Sequence, residues 1–251
     1  MKKDINKLPQ LLSNIIEYLR TNIFSLSETS RDGRINSALN EDEILNLIEQ
    51  KFNITRPNVR NWMDFSFEEN GNFIPVNIKV STTETTDNLN CKLGIYYALT
   101  GKIPSFGNEI PWKKYFKNLS SDMTENDKDY YFLIINKNNT NDVFATSLKS
   151  LKSIKSNGNN LPFQAKWVDN KIMENRSYEE AKRFLLLYLG KSLEKMAEAY
   201  QHFQTYFNEF YDSRFDFYIQ CDNCGARNHC YITNTINGKI VTHCRCNNNE
   251  S

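Results

Sequence analysis

The sequence predicts a mixed α/β domain, a central mixed β-sheet flanked by helices, followed by a small zinc-ribbon-like knuckle at the C-terminus. Three observations carry this. Apolar residues recur at helical spacing near the N-terminus and again after Tyr178. Between those stretches lie runs that alternate bulky and polar residues, the period of half-buried strands. Five of the six cysteines lie from Cys221 onward. The order helix, hairpin, helix, strands, helix fits one core over residues 1–217, with the knuckle over 218–251.

Taken in order, residues 1 to about 25 read as a helix. Leu8, Leu11, Leu12, Ile15, Ile16 and Leu19 fall on one face. The polar stretch Ser25 to Ala38 reads as a loop. A second helix is expected from Asn40 to about Phe52, with Asn40 as N-cap and Glu41, Asp42 and Glu43 in its first turn. Trp62 to Phe67 and Phe73 to Val80 alternate around a turn at Gly71, which predicts a β-hairpin. A helix over Leu89 to Leu99 should end at Gly101. Tyr130 to Asn136 and Asp142 to Ser147 form a strand pair across a polar turn. Tyr178 to Phe217 reads as one long helix, with Leu185, Leu186, Leu189, Leu193 and Met196 on a stripe. The asparagine-rich pieces at 136–141 and 157–160 read as loops.

Composition narrows the function classes. The chain has 251 residues, 39% apolar and 24% charged, with 13 Tyr and 16 Phe to fill a core. Its apolar runs fall short of the about 20 residues that span a bilayer, and Asp4, Asn6 and Lys7 interrupt any apolar leader. The sequence therefore reads as soluble and cytoplasmic, with no membrane partner. A net charge of +1 announces no nucleic-acid partner in bulk, so any such partner must meet cations gathered on one face.

The hairpin carries a set of residues with chemical meaning. Metal-assisted phosphodiester hydrolysis needs oxygen ligands for Mg²⁺ and a lysine beside the attacking water. Asp64 stands at the start of the first strand. Asn77 and Lys79 stand two apart on the second, in Pro75-Val76-Asn77-Ile78-Lys79-Val80, so they share a face while Ile78 turns to the core. A lysine among Ile78, Val80 and Val76 is costly unless it meets an acidic or phosphate partner.

This arrangement resembles the PD-(D/E)xK nuclease superfamily, and within it the type II restriction endonucleases. The acidic segment Glu41 to Glu43 before the hairpin, the run Ser81, Thr82, Thr83 after the lysine, and Asn160-Leu161-Pro162-Phe163-Gln164 with Trp167 extend the likeness more loosely over residues 30 to 170. The resemblance implies a restriction-endonuclease-like core that cuts double-stranded DNA at a short sequence with Mg²⁺, as a homodimer. Asp64 and Asn77 are then the magnesium ligands and Lys79 the residue beside the water. The chain departs from the family at Asn77, where Asp or Glu is usual. Either Asn77 is a natural ligand and another carboxylate compensates, or it is a replacement that disarms the site. Glu43 is the expected compensating carboxylate, with Glu69 and Glu84 behind it.

The C-terminal cysteines point to structural zinc. Cys221 and Cys224 are separated by two residues and followed by Gly225, which lets both thiolates reach one ion. Cys244 and Cys246 supply the second half-site across a hairpin turning at Asn237-Gly238, and Cys230 or His243 can replace one ligand. Disulfides are the alternative, disfavoured in a reducing compartment. Cys91 reads as a buried thiol. Candidate DNA contacts are Arg31, Arg34, Asn36 and Ser37 before the second helix, Ser81, Thr82, Thr83, Asn88, Asn90 and Lys92 after the hairpin, and Gln164 and Lys166. The competing expectation is a zinc-ribbon nucleic-acid-binding protein without catalysis.

Overall fold

The computed structural model describes residues 8–22, 33–57, 61–106, 110–207, 230–236 and 239–244. The chain divides into two compact units, Met1–Met196 and Ala197–Ser251. The first is a mixed α/β unit. Its central sheet has four strands in the order β1 (Phe65–Glu69), β2 (Asn72–Ser81), β4 (Tyr131–Asn136), β5 (Val143–Ser147). The β1–β2 and β4–β5 pairs are antiparallel, while β2 and β4 run parallel.

The β1–β2 turn follows from its sequence. Asn70 and Gly71 both take positive φ, 53° and 72°, the conformation required at the two central positions of a type I′ hairpin turn. Past the turn β2 alternates so that Ile74, Val76, Ile78 and Val80 are buried on one face. Strand β4 is buried on both faces. Leu133 and Ile135 pack with the residues of α1 (Gln10–Asn22) and α2 (Gly33–Lys51), and Phe132 and Ile134 pack with α3 (Lys92–Thr100), α4 (Trp112–Asp122) and the first part of α5 (Tyr178–Phe207). Helix α1 is tied down at both ends. The Glu69 carboxylate accepts the first backbone N–H groups, Gln10 and Leu11, at 2.8 Å each, and Arg20 donates to the Val143 carbonyl.

The connection from β2 to β4 supplies one strand of a second, three-stranded sheet, whose other two strands follow β5. Its order is β3 (Thr86–Leu89), β7 (Phe163–Lys166), β6 (Lys155–Ser156), all antiparallel. Neither this sheet nor α4 is among the elements expected from the sequence, although Trp112, Tyr115, Phe116 and Leu119 fall at helical spacing on α4. Leu89, expected to open the helix, instead closes a strand over 86–89, and the helix begins at Lys92 and ends, as expected, on left-handed Gly101 (φ 68°).

The N-cap expectation for the second helix is overturned. Helix α2 starts at Gly33, so Asn40 lies within it, buried at 4% exposure, and Arg34, Asn36 and Ser37 belong to helix rather than to a loop. No Gly or Pro stands between Arg34 and Leu39 to stop a helix, and an Asn caps only where the helix has somewhere to begin. No helix among the described residues is long and apolar enough to cross a membrane.

In the second unit β8 (Cys230–Ile236) and β9 (Lys239–Cys244) pair antiparallel, with Cys230 opposite Cys244. This is the expected hairpin. Cys221, Cys224 and Cys246 lie outside the described residues, as do Asn237-Gly238 at its turn and the stretch from 208 to 217.

Candidate active site at the open end of the hairpin

Asp64 sits one residue before β1, and the backbone holds it there. Its N–H donates to the Val76 carbonyl at 2.9 Å. Trp62, two residues earlier, stacks on Tyr130, which donates its hydroxyl to the Trp62 carbonyl at 2.6 Å. Because β1 begins only at Phe65, the Ile78 N–H lies beyond the end of the β1–β2 ladder. The Asp64 carboxylate takes that place. Its Oδ2 accepts from the Ile78 N–H at 2.6 Å and from Asn77 Nδ2 at 2.7 Å.

Asn77 and Lys79 share the face of β2 opposite buried Ile78 and Val80, as the alternation requires. Both are half-buried. Burial raises the Asp64 carboxyl above its ordinary range, while the Ile78 N–H and the charge of Lys79 pull it back.

The helix carboxylate that meets this cluster is Glu41. Burial lifts it from its ordinary 4.5 to about 7, Lys79 opposes the rise, and Asp64, Asp87 and Asp42 add to it. Glu43, the carboxylate expected in this role, lies two residues further along α2 and so on a different side of the helix. A helical wheel carries the missing signal, since Glu41 is followed at three, four and seven residues by Ile44, Leu45 and Ile48, all buried in the core. Glu69 caps α1, and Glu84 pairs with Lys166 at 3.4 Å.

Asp87 is the second residue the sequence did not flag. It stands on β3, a strand hidden from periodicity by its shortness, and accepts the Trp167 indole N–H at 2.9 Å. The turn leading to β3 holds Thr83 at φ 59°, a strained value for a β-branched residue. It is fixed by the Val168 N–H donating to its carbonyl at 3.1 Å.

Glu41, Asp64, Asn77 and Lys79 thus form one cluster of two desolvated carboxylates, an amide and an ammonium. Among the described residues no group of three or more His, Cys, Asp or Glu is arranged to hold a metal. Mg²⁺ does not require three. It is bound through one or two carboxylates and keeps several waters, so two carboxylates and an amide oxygen suit it.

The expected DNA contacts scatter. Ser81 is buried and its Oγ accepts from the Thr83 N–H, while Thr82 is bonded to Thr85. Lys92 begins α3, half-buried, and burial lowers its ammonium pKa. Asn90 is exposed. Asn88 and Gln164 come together, directly opposite one another on β3 and β7. Arg31 lies outside the described residues. Compared with known proteins, the chain matches no family model, and no curated protein matches it.

Proposed function

We propose that this chain is a Mg²⁺-dependent endonuclease of the restriction type, hydrolysing phosphodiester bonds of double-stranded DNA at a short specific sequence as a homodimer. The observation that supports it is the coupling of Glu41, Asp64 and Lys79 around the open end of one hairpin. Two carboxylates held desolvated beside a lysine are destabilised by themselves and are matched by a divalent cation and a phosphate.

In this reading Asp64 and Glu41 hold the ion together with Asn77 Oδ1, the amide atom left over once Nδ2 is committed to Asp64. When bound, the ion supplies Lewis-acid charge to a phosphate oxygen and acidifies water. Lys79 orients the attacking water and offsets the negative charge that grows on the phosphate. Water adds to phosphorus, one bridging P–O bond breaks, and the released oxygen takes a proton. The Ile78 N–H and Asn77 fix the Asp64 carboxylate, so the cluster does not reorganise as charge develops. Two copies bring two equivalent clusters to a symmetric sequence.

One observation favours a second reading. The Asn77–Asp64 hydrogen bond satisfies the carboxylate without any cation, as suits a nucleic-acid-binding protein that does not cut. Incubation of a mixed-sequence plasmid with Mg²⁺ separates the two. Discrete fragments, absent with EDTA and with Lys79→Ala, support the nuclease. Duplex binding without cutting in any divalent metal supports the binder. For the second unit we propose a structural zinc held by Cys221, Cys224, Cys244 and Cys246. Metal analysis of reduced protein should find about one zinc per chain, and zinc-free, folded protein ends that assignment.

A further inference from the structure

Resting on the nuclease reading, we infer that Asn88 and Gln164 form a pre-oriented donor–acceptor pair that reads an adenine edge in the major groove of the DNA. Asn157, 6% exposed, sets the orientation of the pair. Its Oδ1 accepts the main-chain N–H groups of Asn159 and Asn160 at 3.1 and 3.2 Å. Main-chain donors cannot be reversed, so this amide has one orientation only. Its Nδ2 therefore points outward and donates to Asn88 Oδ1 at 2.9 Å. Gln164 Nε2 donates to the same oxygen at 3.0 Å.

The consequence is chemical. With Asn88 Oδ1 occupied twice, the outward atom of Asn88 is the donor Nδ2. With Gln164 Nε2 committed, its outward atom is the acceptor Oε1. Among the described residues nothing bonds either one. Their support is rigid. The Asn157 N–H donates to Ser192 Oγ at 3.0 Å, and Gly158 lies so close to α5 that a Cβ there would meet Lys195 Cβ at 2.9 Å.

A donor beside an acceptor is the complement of adenine, which offers N7 as acceptor and N6–H as donor in the major groove. Guanine offers two acceptors there, which would set an oxygen against Gln164 Oε1. Cytosine offers only a donor. The flanking chemistry fits a nucleic acid. Lys155 stands opposite Gln164 on β6, where its exposed ammonium can meet phosphate.

The test uses the full chain with Mg²⁺ and duplexes carrying its cut sequence, each adenine replaced in turn by 7-deazaadenine, which lacks the N7 acceptor. At one position the replacement should slow the wild type about ten- to a hundredfold and hardly slow Asn88→Ala. Gln164→Ala should accept other bases at that position. Binding measured with Ca²⁺ in place of Mg²⁺ should show the same penalties if a variant cuts too slowly to follow. Both residues lie at the surface of the small sheet, and circular dichroism checks that the variants fold. Folded variants that keep the wild-type sequence preference and the wild-type 7-deazaadenine sensitivity overturn the inference and leave the nuclease reading intact, as does a cut sequence without adenine. A wild type that cuts no DNA in any divalent metal removes both.

Discussion

At its turn the β1–β2 hairpin obeys local rules, and at its open end it breaks them. Asn70 and Gly71 occupy positive φ as the turn demands, and the ladder from Glu69–Asn72 to Phe65–Val76 is regular. Fifteen ångströms or so of strand away, by the usual rise of about 3.4 Å per residue, the ladder stops. There a carboxylate replaces a strand partner, a second carboxylate from α2 is lifted to about 7, and a lysine is half-buried between apolar neighbours. The turn end is explained by stability alone. The open end costs stability, which is the usual mark of a place kept for function.

That contrast is broken most sharply at Lys79. Lys79→Ala should lower cutting by about a hundredfold to ten-thousandfold, while thermal stability and duplex binding stay close to wild type. A loss under about tenfold would move the chemistry elsewhere. Next comes the choice between two helix carboxylates. Glu41→Gln should raise the Mg²⁺ concentration needed for cutting, and Glu43→Gln should leave it unchanged; a titration of rate against Mg²⁺ for both variants decides. The reverse result would restore Glu43 to the site.

A third change strikes the support of the open end. A Cβ at Gly94 would sit 2.8 Å from the buried Tyr130 ring that anchors Trp62. Gly94→Ala should cost about 1–3 kcal/mol of unfolding free energy, read from the denaturant midpoint, and should slow cutting as Asp64 loosens. The smallest expected effect is a pH slope. Below about pH 4.5 Glu41 is protonated whether folded or unfolded. Between there and about 7 the unfolded chain gives up that proton and the folded chain keeps it, so Glu41 costs stability as pH rises through this window, and the cost is constant above it. Melting in metal-free buffer should lose this part of its slope in Glu41→Gln. A slope identical in both proteins would place Glu41 outside the cluster.

The hairpin, the β4–β5 pair, α1, α3, α5 and the β8–β9 hairpin are legible in the sequence because each carries a period or a turn signal of its own. Asp64, Asn77 and Lys79 can be counted to one end of the hairpin, since strand alternation is rigid. What tertiary structure decides is not legible there. Helix α2 begins upstream of Asn40 because nothing in Arg34 to Leu39 stops it. The choice of Glu41 over Glu43 depends on which face of α2 is buried. Strand β3 has only four residues and exists because β7 pairs with it, so Asp87 carried no local signal. The meeting of Asn88 with Gln164 spans 76 residues and is written only in that register.

The central claim is that the open end of the hairpin is a Mg²⁺-dependent cutting site weakened by an amide at position 77. It is tested most directly by plasmid cleavage against Mg²⁺ concentration, run side by side with the wild-type chain and Asn77→Asp. Restoring a carboxylate adds one negative charge beside Asp64 and Glu41, so the ion should bind at lower concentration. The account predicts discrete fragments from both proteins, with Asn77→Asp reaching full rate at lower Mg²⁺, or from Asn77→Asp alone if the amide disarms the site. Intact plasmid from both, in Mg²⁺, Mn²⁺ and every other divalent metal tried, would contradict it.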